Sequence, residues 1–145
     1  MSSFKIFDIV GSGLSAQSVR LNTVASNLAN ADSVSGDPNT VYRARHPVFQ
    51  AVKAQVGAGG TTSAIDQASG TSVKVRSIMQ SNAPPTERYD PGNPLANENG
   101  NVYAPNVNVI EEMTDMISAS RAYQDNVEVL NTSKDLMLAT LKLGT

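Results

Sequence analysis

The sequence has no cysteine, no tryptophan and a single histidine. Without cysteine there are no disulfides, no thiolate metal sites and no cysteine nucleophile, an absence compatible with a reducing or an oxidising compartment. The lone histidine, His46, precedes Pro47. A histidine-based metal cluster or catalytic triad therefore has no second member, and His46 reads as a solvated or hydrogen-bonded strand residue. Aromatic residues make up 5% of the chain, which leaves the core to Val, Leu, Ile, Met and Ala and makes it modest or divided. Basic residues are few and scattered along the sequence, and the formal net charge is −2. Nucleic acid and anionic membrane surfaces, which select clustered Lys and Arg, are thereby excluded as principal partners. No window approaches the roughly 18 apolar residues of a membrane span. Residues 1–13 carry one Lys, with Asp8 and Gly11 interrupting the apolar stretch. They lack the basic start and unbroken apolar run of a cleavable secretory signal, so a different route must recognise the chain if it is exported.

What the chain does have is a seven-residue apolar repeat at both ends. Phe7, Leu14, Leu21 and Leu28 form one stripe, and Val109, Met116, Tyr123, Leu130 and Met137 the other. Such a repeat keeps one stripe on one face of a slightly supercoiled helix, whose natural partner is another helix of the same kind. Ser2 or Ser3 caps the first helix, which runs to about Asn30 and is weakened by Gly11 and Gly13. The polar run from Asp32 through Pro38 to Asn39 ends it. The second helix is capped by Asn106 or Asn108. It carries Glu111, Glu112 and Asp115 in its first turns and Lys134 and Lys142 late, the charge order that suits the helix dipole, and Gly144 stands at its stop. Between the helices, residues 41–56 and the alternation of Val73, Lys74, Val75 and Arg76 predict two strands joined by a Gly- and Ser-rich tip over residues 57–70. Tyr89-Asp90-Pro91-Gly92-Asn93-Pro94 is a turn signal, followed by Asn99-Gly100 and the apolar pair Val102-Tyr103. The expected fold is mainly α, with long terminal helices pairing as a coiled-coil-like bundle around a small β-rich centre. Its expected units are residues 1–36 and 106–145, the two halves of a helical domain, and residues 37–105, a central hairpin and loop region.

Reactive constellations are missing. Gly11-Ser12-Gly13 lacks the preceding strand, third glycine and lysine of a phosphate loop. Carboxylates at Glu111, Glu112 and Asp115 are expected at a helix start on electrostatic grounds alone. Asn131-Thr132-Ser133 matches a glycosylation sequon but lies within a predicted helix. With no convergent polar set, neither an enzyme nor a cofactor-binding protein has candidate residues. The nine stripe residues are the expected assembly interface. Further apolar positions flank them at Ile6, Val10 and Val24, and at Ile110, Met113, Ile117, Val127, Leu138 and Leu141. Each helix therefore offers more than one adhesive face, and several neighbours are needed to cover them. Two other readings of the same stripes are helices packed on the central β region of their own chain, and a cytoplasmic coiled-coil adaptor or export chaperone.

The ends also carry recognisable wording. Ile6-Phe7-Asp8-Ile9, Leu14-Ser15-Ala16-Gln17-Ser18, Arg20-Leu21-Asn22 and Ala25-Ser26-Asn27-Leu28-Ala29-Asn30 resemble the amino-terminal signature of bacterial flagellar rod and hook axial proteins. Pro105-Asn106-Val107-Asn108-Val109, Ser118-Ala119-Ser120-Arg121-Ala122-Tyr123-Gln124 and Asn126-Val127-Glu128-Val129-Leu130-Asn131-Thr132 resemble the carboxy-terminal half of a proximal rod protein. The resemblance extends to Tyr89 through Ala96 and omits only residues 57–70. It implies a non-enzymatic, cofactor-free subunit of the drive shaft that crosses the periplasm. It further implies export by the flagellar type III apparatus without signal cleavage, helical self-association, and neighbours resembling FlgB, FlgF, FlgG and the base adaptor FliE. The motif residues are Asn27, Leu28, Ala29 and Asn30, with structural rather than chemical use implied for both asparagines. Because residues 57–70 nearly lack large apolar side chains, deleting residues 59–69 is expected to leave motility largely intact. Loss of motility in a deletion variant that is still made and exported, scored on soft agar, would show that the tip is an essential contact.

Overall fold

The computed structural model describes residues 3–53 and 71–143, so the tip at residues 57–70 lies outside the described residues. Helix α1 spans Ser3–Ala29 and helix α2 Val109–Leu143. At 1.5 Å per residue α2 is about 50 Å long. Strands β1 (Arg45–Lys53) and β2 (Thr71–Gln80) form one antiparallel hairpin, and β3 (Thr86–Tyr89) and β4 (Asn101–Ala104) a second. In the first hairpin Arg45 faces Gln80 and Lys53 faces Thr71, and the register slips between Val48 and Phe49, leaving Arg76 unpaired at the bulge. The second hairpin gains a further bridge from Ser35, whose N–H and C=O bond Tyr103 at 3.0 and 2.8 Å.

Local chemistry sets the element ends. Asn30 closes α1 by donating its side-chain amide to Ser26 O at 2.7 Å, and Ser33 Oγ donates to Asn30 O. Asp37 then accepts the Asn39 N–H at 2.8 Å in an Asx turn around Pro38. Of the two asparagines able to cap α2, Asn108 does so, its Oδ1 receiving the Ile110 N–H at 3.2 Å. Asn106 is used otherwise. It accepts the Ala44 N–H and donates to Ser81 Oγ and Ala83 O, tying the entry of β1 to the exit of β2.

The expectation of a mainly-α, coiled-coil-like bundle is overturned. The chain is about 49% helical and 22% strand, two helices accompanied by two small antiparallel sheets. The helices do pack antiparallel, but their seam is not the apolar one. Asn27 meets Glu112, Gly13 meets Asn126, and Ile6 shares a small pocket with Ser133 and Met137. The residues at the seam thus recur every seven positions, as Ile6, Gly13, Arg20 and Asn27 on α1 and as Glu112, Ala119, Asn126 and Ser133 on α2. The period matches the apolar stripes, but the phase is displaced by one residue on α1 and by three on α2. Apart from Ile6, which meets Met137, the side chains at these positions are small or polar. Buried helix positions are Val10, Ala16, Thr23, Val24, Asn27, Glu112 and Ala119, and no member of the nine-residue stripe set is among them. Both hairpin strands pack on α1. They occupy helix surface that a bundle would have reserved for other helices.

The loop of residues 32–40 lies against the turn of residues 90–100. A Cβ at Gly36 would stand 2.6 Å from Leu95 O, whereas one at Gly11 would meet nothing within 4 Å. Gly36→Ala is therefore expected to destabilise the isolated chain by about 1–3 kcal/mol through forced backbone displacement. Gly11→Ala is expected to stabilise it by about 1 kcal/mol through helix propensity. Urea unfolding of both variants checks the pair, and equal effects of one sign would contradict the packing described.

Candidate functional site

Three elements converge on one side chain near the carboxy-terminal end of α1. Asn27 is fully buried, with 0% of its surface exposed. Its amide nitrogen donates to Arg45 O at 2.8 Å and to Glu112 Oε1 at 2.8 Å, and its oxygen accepts from the Tyr42 hydroxyl at 2.8 Å and the Arg45 N–H at 3.0 Å. Both donors and both lone pairs are used, the most an asparagine can offer. The Tyr42 oxygen also lies 3.3 Å from Ser26 Oγ, and its ring carries the Arg45 guanidinium at 5.5 Å. One residue therefore joins α1, the entry to β1, and α2.

Glu112 is the costly member. Only 4% of it is exposed, and its Oε2 has no hydrogen-bond partner among the described residues. Burial lifts its pKa above the ordinary value of 4.5, the bond from Asn27 and the field of His46 pull it down, and Asp115 and Glu111 push it up again. One turn along α2, Asp115 accepts from Arg20 at 2.7 Å and adds a second tie between the helices. This ion pair is partly exposed and contributes at most about 1 kcal/mol. The Asn27 node matters more, because its groups are dry and a buried polar group left unpaired costs about 1–3 kcal/mol.

The sequence-derived interface residues lie elsewhere. Phe7, Leu14, Leu21 and Leu28, with Met116, Leu130 and Met137, are half-buried, while Val109 and Tyr123 are exposed at 42% and 38%. Of the motif residues, Asn27 is the node, Asn30 closes the helix, Leu28 is half-buried and Ala29 is exposed. Glu112, Tyr42 and Arg45 were missed as site residues. Glu112 reads from sequence as a solvated helix-start carboxylate. Two signals were available: its place in the stretch Glu111-Glu112-Met113, which shares the rod-protein resemblance, and its position seven residues before Ala119 and fourteen before Asn126, a second heptad built of small and polar residues.

Among the described residues no three His, Asp or Glu side chains are grouped to hold a metal ion, and no helix is long and apolar enough to cross a membrane. The node has all its Asn27 valences occupied, so its chemistry is that of a fastening. The comparisons with known proteins agree with such a role. Residues 7–36 match the flagella basal body rod protein family and residues 98–143 the carboxy-terminal family of the flagellar basal body rod proteins FlgE, FlgF and FlgG. The chain is 55% identical to the flagellar basal-body rod protein FlgC of Salmonella typhimurium and 54% identical to that of Escherichia coli O157:H7, over 99% of both chains in each case. It is 41% identical, again over 99% of both chains, to FlgC of Buchnera aphidicola from Acyrthosiphon pisum.

The chain belongs to the FlgC family of flagellar basal-body rod proteins. Its function is that of a structural rod subunit, and the adaptor or chaperone reading is set aside. Both matched regions contain half of the node: Asn27 lies in the first and Glu112 in the second.

Replacing Asn27 by Ala is expected to cost about 2–4 kcal/mol, since it strands Glu112 Oε1 together with the Arg45 backbone. The pH dependence follows from the raised pKa of Glu112. The folded chain holds that proton more tightly than the unfolded chain, so this contribution is fully present below 4.5 and is lost as pH rises through the higher folded value. Relative to Glu112→Gln, the wild type should gain stability as pH falls from 7 toward 4.5 in urea unfolding. Parallel pH profiles for the two chains would contradict the buried carboxyl.

Proposed function

We propose that the subunit stacks helically in the rod, with α1 and α2 near the axis and the apolar stripes facing neighbouring subunits. The observation that carries this reading is the amount of large apolar surface α2 leaves uncovered. Ile110 is 78% exposed, Leu136 64% and Leu141 63%, with Met113 and Ile117 also exposed. Burying one such side chain contributes roughly 1.5–3 kcal/mol, so neighbours that cover several of them recover a sizeable free energy. Phe7, Leu14, Leu21 and Leu28 then join Val109, Met116, Tyr123, Leu130 and Met137 as the assembly interface. A head-to-tail contact whose rotation does not close produces a helical filament, and close-packed interiors transmit strain, so torque passes from subunit to subunit.

The neighbours in this reading are FlgB-, FlgF- and FlgG-like rod subunits, the FliE-like base adaptor and further copies of the chain itself. The subunit is made in the cytoplasm, passes through the flagellar type III export apparatus without signal cleavage, and ends in the rod across the periplasm. Residues 1–36 and 106–145 act there as one helical unit, and residues 37–105 as an outer one. The role is mechanical and involves no catalysis and no cofactor.

Leu130→Asp places a carboxylate in the apolar contact and is expected to abolish motility and incorporation into isolated basal bodies. Gln124→Ala, an exposed change off the stripe, should leave both unchanged. Wild-type incorporation of the Leu130→Asp chain, measured by immunoblot of purified basal bodies, would overturn this assignment of the interface.

A further inference from the structure

The turn that joins β3 to β4 contains a reactive peptide bond. Asn99 is the only asparagine in the chain that is followed by glycine, and its side chain is exposed with no hydrogen bond among the described residues. The fold requires that glycine. Gly100 has a φ of +76°, and a Cβ there would stand 3.0 Å from the Tyr89 ring and 3.2 Å from Pro91. The bare Cα that fits this turn also leaves the Gly100 nitrogen sterically open to the side chain before it. Every other asparagine is followed by a residue that bears a Cβ, most often Val or Thr, whose branching crowds the following nitrogen. Several are also held by their own amides: Asn27 donates to Arg45 O and Glu112, Asn30 to Ser26 O and Asn126 to Ala122 O.

We propose that Asn99 is a self-modification site, at which the side-chain amide is lost without an enzyme. The Gly100 nitrogen gives its proton to hydroxide and attacks Asn99 Cγ. The new N–C bond closes a succinimide ring, the Cγ–Nδ2 bond breaks, and the nitrogen leaves as ammonia after taking a proton from water. A second water opens the ring at either carbonyl, giving aspartate or, with the main chain rerouted through the side chain, isoaspartate. The turn sets the pace. Gly100 N–H donates to Asn97 O at 2.9 Å, which retains the proton that must leave, so the reaction runs from a locally opened turn. The product does not fit the closed one. Asn97 Oδ1 accepts the N–H groups of Asn99 and Asn101 at 3.0 and 2.9 Å, and Asp90 N–H donates to Gly100 O at 2.9 Å. Isoaspartate adds a methylene to the chain among these bonds and a carboxylate beside Glu98. Modification therefore loosens the end of the second hairpin.

Incubation of the purified chain at mildly alkaline pH tests it, with peptide mass mapping to locate the exchange of amide for acid and enzymatic methylation to label isoaspartate. Asn99 should convert before any other asparagine, and roughly tenfold faster in urea than in the folded chain, where the turn must first open. The Asn99→Gln chain, whose longer side chain cannot close the same ring, should gain no label over the same period. Conversion of another asparagine ahead of Asn99 in the folded chain, or equal labelling of the Asn99→Gln chain, would overturn the site. Equal rates at Asn99 in the folded chain and in urea would overturn the control by turn opening.

Discussion

The junction of α1, α2 and the entry to β1 depends on Asn27. A buried side-chain amide with four hydrogen bonds to Tyr42, Arg45 and Glu112 is satisfied in one arrangement and unsatisfied in shifted ones. A slip of α2 by a single turn would carry Glu112 away from the amide and leave polar groups dry and unpaired, which is expensive in a protein of modest core. Apolar contacts between helices have no such discrimination, because one leucine replaces another a heptad away. The node therefore supplies the register that the apolar pattern lacks.

This division of labour explains why two stripes with the same period run along each helix. The inner stripe of Gly13, Ala119 and Asn126 allows close approach, with Asn27–Glu112 and Arg20–Asp115 setting the alignment. Large apolar residues lie beside it, half-buried or exposed. A pair that used its leucines and methionines internally would leave little for neighbours. By using small and polar residues internally, the pair leaves large apolar side chains exposed, the surface that the proposed stacking would cover.

The sequence made the helices legible because their caps, their charge order and their seven-residue spacing are local properties. It made the first hairpin legible through alternation at Val73 to Arg76, and the bond capacity of Asn27 and Asn30 through the identity of the side chain. The phase of the seam was not legible. A heptad analysis weights large apolar residues, and here the contact residues are a glycine, an alanine, asparagines and a glutamate. Strand β3 was also hidden, since Thr86, Glu87, Arg88 and Tyr89 show no apolar alternation and are held by pairing with β4. Glu112 was hidden for a different reason. A carboxylate in the first turn of a helix is favourable in water, and only the arrival of α1 and β1 over it makes it a buried group.

The central claim is that the helix pair, in this register and within one chain, persists in the assembled rod. Because the chain has no cysteine, Gly13→Cys with Asn126→Cys provides a clean crosslink across the seam, where a Cβ at position 13 stands 3.4 Å from the Asn126 side chain. Mild oxidation of rods carrying this pair should yield a disulfide within a single chain, identified by peptide mass mapping, while Gly13→Cys with Ala119→Cys, one heptad out of register, should stay reduced. A disulfide joining two chains, or preferential linkage of the out-of-register pair, would contradict the account.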